Sequence, residues 1–142
     1  MPTVTKQTPP RRRTVAAYGL AALLTVTGAL HFLAPHGFES IVPGFLGSPA
    51  FWVAASGAAE LTCAAGLLLP RTRSGAGWAC VVLFIAVFPA NVTMAVHALN
   101  GDGSVLVSLV RLPLQIPLVL WAYYIARDDQ PGTVQVSSAR CP

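Results

Sequence analysis

The chain has 142 residues, a formal net charge of +4, 54% hydrophobic residues and only 10% charged residues. Soluble domains carry about 25% charged residues, so this composition excludes an ordinary soluble domain and points to one membrane domain with short polar tails. The positive charge does not point to nucleic acid, because its distribution along the chain has a simpler cause, given below.

Residues 1–14 contain Pro2, Pro9 and Pro10, several threonines and no apolar face, and read as a disordered arm. Four apolar stretches follow, at 15–34, 50–69, 75–99 and 104–126. Each is about 20 residues or longer, enough for a helix to cross a hydrocarbon core of about 30 Å. The first follows Arg11-Arg12-Arg13 as a secretory signal would, but it outruns a typical signal core of about 7–15 residues and lacks a clear cleavage site, so a retained helix is expected. The expected fold is therefore all-α, a four-helix transmembrane domain over 15–127, with a second disordered tail over 128–142.

Between the first two stretches, residues 35–49 are too short to cross. Phe38, Ile41, Val42, Phe45 and Leu46 recur there at helical spacing, and Glu39 and Ser40 face the other way. This predicts a short amphipathic segment lying in the membrane interface. The second stretch carries small residues at Ala54, Ala58, Thr62 and Gly66, a pattern that lets helices approach closely within the bundle or between copies in a homo-oligomer. Pro89, Pro113 and Pro117 each remove one helical hydrogen bond and predict kinks.

With four crossings, the cations outside the stretches fall on one side: Lys6, Arg11, Arg12, Arg13, Arg71, Arg73, Arg127 and Arg140. The opposite loops carry only Glu39 and Asp102. The positive-inside rule then puts both termini in the cytoplasm, and the basic side faces anionic membrane lipid.

Five polar residues lie within the stretches: His31, Glu60, Asn91, Arg111 and Gln115. Ionisable residues inside a membrane span are functional-site hypotheses by default. Counted from the outer ends of their helices at about 1.5 Å per residue, all five fall in one slab between the bilayer middle and the outer interface. Glu60 and Arg111 form the obvious expected ion pair, with Gln115 one turn from Arg111 and Asn91 completing the hydrogen bonds. The layer reads either as a structural latch that sets helix register or as the lining of a cavity for the polar head of a quinone or lipid. No catalytic set and no metal-ligand spacing is evident. The cysteines are Cys63, Cys80 and Cys141, without a C-x-x-C motif. Cys63 and Cys80 lie at similar depth, as small packing residues or as a thiol pair.

Gly28-Ala29-Leu30-His31-Phe32 with Pro35, Ile41-Val42-Pro43, Gly57-Ala58-Ala59-Glu60-Leu61 and Gly66-Leu67-Leu68-Leu69-Pro70 resemble, in order, segments of the DoxX-like membrane proteins. Phe88-Pro89-Ala90-Asn91 and Arg111-Leu112-Pro113-Leu114-Gln115 extend the resemblance across all four stretches. The resemblance implies a four-helix bundle of the bacterial plasma membrane. It also implies a non-catalytic subunit or scaffold of a quinone- or thiol-linked redox system, with a redox protein as partner. A stand-alone binder or transporter of a small hydrophobic molecule is the alternative.

Overall fold

The computed structural model describes residues 11–101 and 105–127. Its elements are α1 (Arg11–Leu33), α2 (Pro35–Glu39), a single 3-10 turn (Gly44–Leu46), α3 (Pro49–Leu68), α4 (Arg73–Leu99) and α5 (Val105–Ala126). Among the described residues, α1, α3, α4 and α5 are long and apolar enough to cross a membrane, and no strand occurs. Prolines at the first turns of α2 and α3 start those helices where a missing N–H costs nothing. Most of the expected tails, with Lys6, Arg140 and Cys141, and Asp102 of the last loop lie outside the described residues.

The four long helices form two hairpins. α1 packs mainly on α3, and α4 mainly on α5; α3 also packs on α4, and α1 on α5. Close approach sets the first pairing. A Cβ placed on Gly57 would stand 2.8 Å from the His31 Cβ, and one on Gly28 would stand 3.1 Å from the Gly57 carbonyl oxygen. Ala54, Ala58 and Thr62 of the expected small-residue stripe are instead exposed. Gly77 does the same work for the second hairpin, where an added Cβ would meet the Ala126 backbone nitrogen at 2.9 Å.

α1 starts at Arg11, inside the segment expected to be a disordered arm. The physical reason is Arg13. Its side chain is only 3% exposed, and Nε and Nη2 both donate to the Ile125 carbonyl at the end of α5. Arg73 repeats this at the start of α4. It is also 3% exposed; Nε donates to the Leu67 carbonyl near the end of α3 at 3.0 Å, and Nη1 donates to the Thr14 hydroxyl at 3.2 Å. Its guanidinium lies over the Tyr18 ring at 5.7 Å. Each hairpin's first helix thus caps the last turn of the other hairpin's second helix, where unpaired carbonyls and the helix dipole favour a cation. The Ser74 hydroxyl adds a bond to the Ala126 carbonyl at 2.7 Å.

This clasp closes one end of the bundle. The buried core lies directly beneath it: Leu20 and Leu24 of α1, Leu67 of α3, Cys80 and Phe84 of α4, and Ile125 of α5. Trp121 joins α5 to α1 by donating to the Ala16 carbonyl at 3.1 Å, and the edge of Trp78 meets Tyr123. The outer faces are apolar and exposed, with Val82, Ile85, Ile116 and Leu120 all more than half exposed. A surface of that kind suits lipid rather than water.

Candidate functional site

Away from the clasp the four helices enclose a cavity of about 740 Å³. That lies within the range of about 300–1,000 Å³ typical of small-molecule pockets. Apolar side chains of α1, α3, α4 and α5 make most of its wall. Phe38, Ile41, Val42, Pro43, Phe45 and Leu46 border it from the connection between α1 and α3. Trp52 holds that connection by donating from its indole nitrogen to the Leu46 carbonyl at 2.8 Å. The segment, α2 and the 3-10 turn, therefore lies over the mouth of the cavity, although Phe45 is largely exposed on it.

All five polar residues singled out from the sequence border this cavity, but their partners differ from those expected. The first hairpin supplies His31 and Glu60. His31 Nδ1 lies 2.8 Å from the Thr27 carbonyl oxygen. A carbonyl only accepts, so Nδ1 carries the proton. Glu60 Oε2 lies 3.5 Å from the same nitrogen. The two side chains are 11% and 13% exposed, and Oε2 is enclosed without a hydrogen bond of its own. Phe38 stacks on the imidazole, with ring centres 4.0 Å apart.

The second hairpin supplies the neutral counterpart. Asn91 Nδ2 donates to Gln115 Oε1 at 2.9 Å, and Gln115 Nε2 donates to the Phe84 carbonyl. Pro89 has no N–H to offer the Ile85 carbonyl, and the buried Gln115 amide reaches α4 from α5 at the neighbouring Phe84 carbonyl. Replacing Gln115 with leucine removes both bonds, the one it donates to the Phe84 carbonyl and the one it accepts from Asn91, a loss of about 1 kcal/mol by membrane-protein measures. The expected result is a lower thermal midpoint in detergent for Gln115→Leu; an unchanged midpoint would show that this bond does not hold α4 to α5.

The expected Glu60–Arg111 ion pair is not formed. α3 is flanked by α1 and α4, and α5 by α4 and α1, so Glu60 and Arg111 stand on diagonal helices across the cavity. Depth along the bundle was readable from the sequence; which helices are neighbours was not. His31, on the helix beside α3, takes the place assigned to Arg111. Arg111 is exposed, and its Nη1 donates to the Met94 sulfur at 3.5 Å. A thioether is a weak acceptor. Among the described residues no carboxylate pairs with it.

Cys63 of α3 and Cys80 of α4 are free, buried and members of the same core cluster. They lie in the core, away from the cavity wall.

Residues 20–126 match the family described as Domain of unknown function (DUF8561). The chain belongs to that family. The DUF8561 match begins in the first core turn of α1 and ends with α5, so it takes in the whole polar layer, the cavity and its cover. It also takes in Arg73, whereas Arg13 precedes it. No match was found among the curated proteins or among the solved structures.

One arrangement is not apparent from hydropathy. Arg11-Arg12-Arg13-Thr14 and Arg71-Thr72-Arg73-Ser74 are the same motif sixty residues apart, and the same spacing separates His31 from Asn91. Ala17, Leu20, Ala21 and Leu24 are buried, and so are Gly77, Cys80, Val81 and Phe84 at that spacing. The bundle is two similar hairpins, each with a buried arginine at its start and a polar pair facing the cavity. The signal in the sequence was the repeated Arg-x-Arg-Thr/Ser.

Proposed function

We propose that this DUF8561 protein is a multi-pass protein of the bacterial plasma membrane that holds a small hydrophobic molecule with a polar head between its two hairpins. The observation that carries this reading is the cavity: apolar on most of its wall, covered by the α1–α3 connection, and bordered by His31, Glu60, Asn91, Arg111 and Gln115. A latch would need the polar residues to satisfy one another. Among the described residues Glu60 Oε2 has no hydrogen-bond partner, and Arg111 has a thioether alone. The basic residues at the clasp end support a topology with both termini in the cytoplasm, which opens the cavity toward the outer leaflet. The covering segment then lies in the outer interface. A quinone or a lipid fits a cavity of this kind.

The test is purification from native membrane in gentle detergent, with mass spectrometry of extracted small molecules and of co-purifying proteins. One small molecule should be enriched over the bulk extract and lost from Ala59→Trp, which fills the cavity wall. Equal extracts from both proteins would overturn the reading.

A second reading is that the chain is a non-catalytic subunit of a redox system, as the DoxX-like resemblance implies. Two free thiols, Cys63 and Cys80, buried in the same core cluster favour it. Its signature in the same experiment is a stoichiometric redox protein with no enriched small molecule.

A further inference from the structure

The cavity is bordered by one carboxyl group and one guanidinium, Glu60 and Arg111, on diagonal helices and not paired with each other. Each charge on its own is costly inside a span. The protein relieves Glu60 only in part. The His31 proton at 3.5 Å from Oε2 is already donated to the Thr27 carbonyl at 2.8 Å, and Oε2 is enclosed with no other bond, so a ligand meets the partly exposed carboxyl group beside that atom. Among the described residues exposed Arg111 has even less, one bond to sulfur from a fork of five donors. The remaining polar groups do not compensate, because Asn91 and Gln115 are bonded to each other and to the Phe84 carbonyl. The two opposite charges therefore face one apolar space, and both lack a counter-charge of good geometry.

We infer that the cavity takes a zwitterionic amphiphile, with its anionic group on Arg111, its protonated amine on Glu60, and its apolar tail along the aliphatic wall beneath the α1–α3 cover. This rests on the binding reading above and narrows it to a chemical class. A purely anionic head would satisfy Arg111 and be repelled by Glu60. A neutral apolar molecule would leave both charges bare. A head with both charges and N–H donors satisfies both walls without adding net charge, and a guanidinium–phosphate contact can be bidentate. In a bacterial membrane the abundant molecule of this kind is an aminophospholipid, and phosphatidylethanolamine is the probe of choice.

The experiment is native mass spectrometry of the full chain, delipidated in detergent and offered equal concentrations of three lipids with the same acyl chains. Phosphatidylethanolamine has phosphate and a donating ammonium. Phosphatidylcholine has phosphate and an ammonium without N–H donors. Phosphatidylglycerol has phosphate and no cation. Wild-type protein is expected to retain phosphatidylethanolamine at least tenfold over the other two. Glu60→Gln should lose the preference for ethanolamine over choline, and Arg111→Gln should lower retention of all three, with Arg111→Lys restoring part of it. A free ethanolamine phosphate arm, without tails, should not compete at the same concentration; if it does, a soluble zwitterion is the ligand and the tail assignment fails.

Equal retention of the three lipids by wild-type protein overturns the inference, whatever the variants do. A neutral fatty alcohol offered in parallel separates the two failures. If the alcohol is retained and lost from Ala59→Trp while the lipids are not ranked, the cavity binds but its ligand is not zwitterionic. If nothing is retained, the binding reading itself falls.

Discussion

Arg73→Ala is expected to lower the stability of the purified protein by about 2–3 kcal/mol, among the largest losses from removing any one side chain. The guanidinium is 3% exposed and serves three partners at once: the Leu67 carbonyl, the Thr14 hydroxyl and the Tyr18 ring. Hydrogen bonds to a charged group contribute about 1.5–3 kcal/mol, and a buried carbonyl left without a donor costs about 1–3 kcal/mol. The loss falls on the joint between hairpins and not on either hairpin alone. Arg13→Ala removes the reciprocal cap on Ile125 and should also lower stability. Lysine at position 73 should rescue little, because one compact ammonium cannot reproduce the planar fork. Thermal unfolding in detergent reads the effect. A midpoint for Arg73→Ala equal to wild type would mean that the clasp does not hold the hairpins together.

Gly57→Val is expected to damage both folding and the cavity. An added Cβ already meets the His31 Cβ at 2.8 Å, Phe32 Cε2 at 2.9 Å and the Gly28 carbonyl oxygen at 3.2 Å. The last is backbone, so relief requires α1 and α3 to separate. Overpacking of this kind costs about 1–3 kcal/mol. Here it also moves His31 away from Glu60, so loss of any cavity ligand should accompany the loss of stability. Gly37→Ala is the control, since nothing lies within 4 Å of a Cβ there. If Gly57→Val matches that control, the close crossing of α1 and α3 is not a constraint.

The four long helices were legible because lipid demands about 20 apolar residues per crossing whatever the tertiary contacts. The five polar residues were legible for the same reason, as exceptions to that demand. Their partners were not. Glu60 and Arg111 carry opposite charges at similar depth, and depth was the only coordinate the chain offered. Pairing depends on which helices are adjacent, and that is decided by Gly28 against Gly57 and by Gly77 against Ala126, contacts that hydropathy does not rank. The start of α1 was missed because charged Arg11, Arg12 and Arg13 read as solvent-facing. A buried arginine becomes intelligible only when the carbonyl it caps, on α5, is in place. The repeat of that motif at Arg73 was the available clue.

The two clasped hairpins are proposed to hold a ligand in the cavity that Glu60 and Arg111 border. The most direct test is an experimental structure of the protein in a lipid nanodisc, at a resolution that shows side chains and bound lipid. Elongated density is expected between the hairpins, with its head between Glu60 and Arg111 and its tail beneath Phe38 and Phe45. Helices collapsed onto one another, with Arg111 turned onto Glu60 and no space between them, would contradict it.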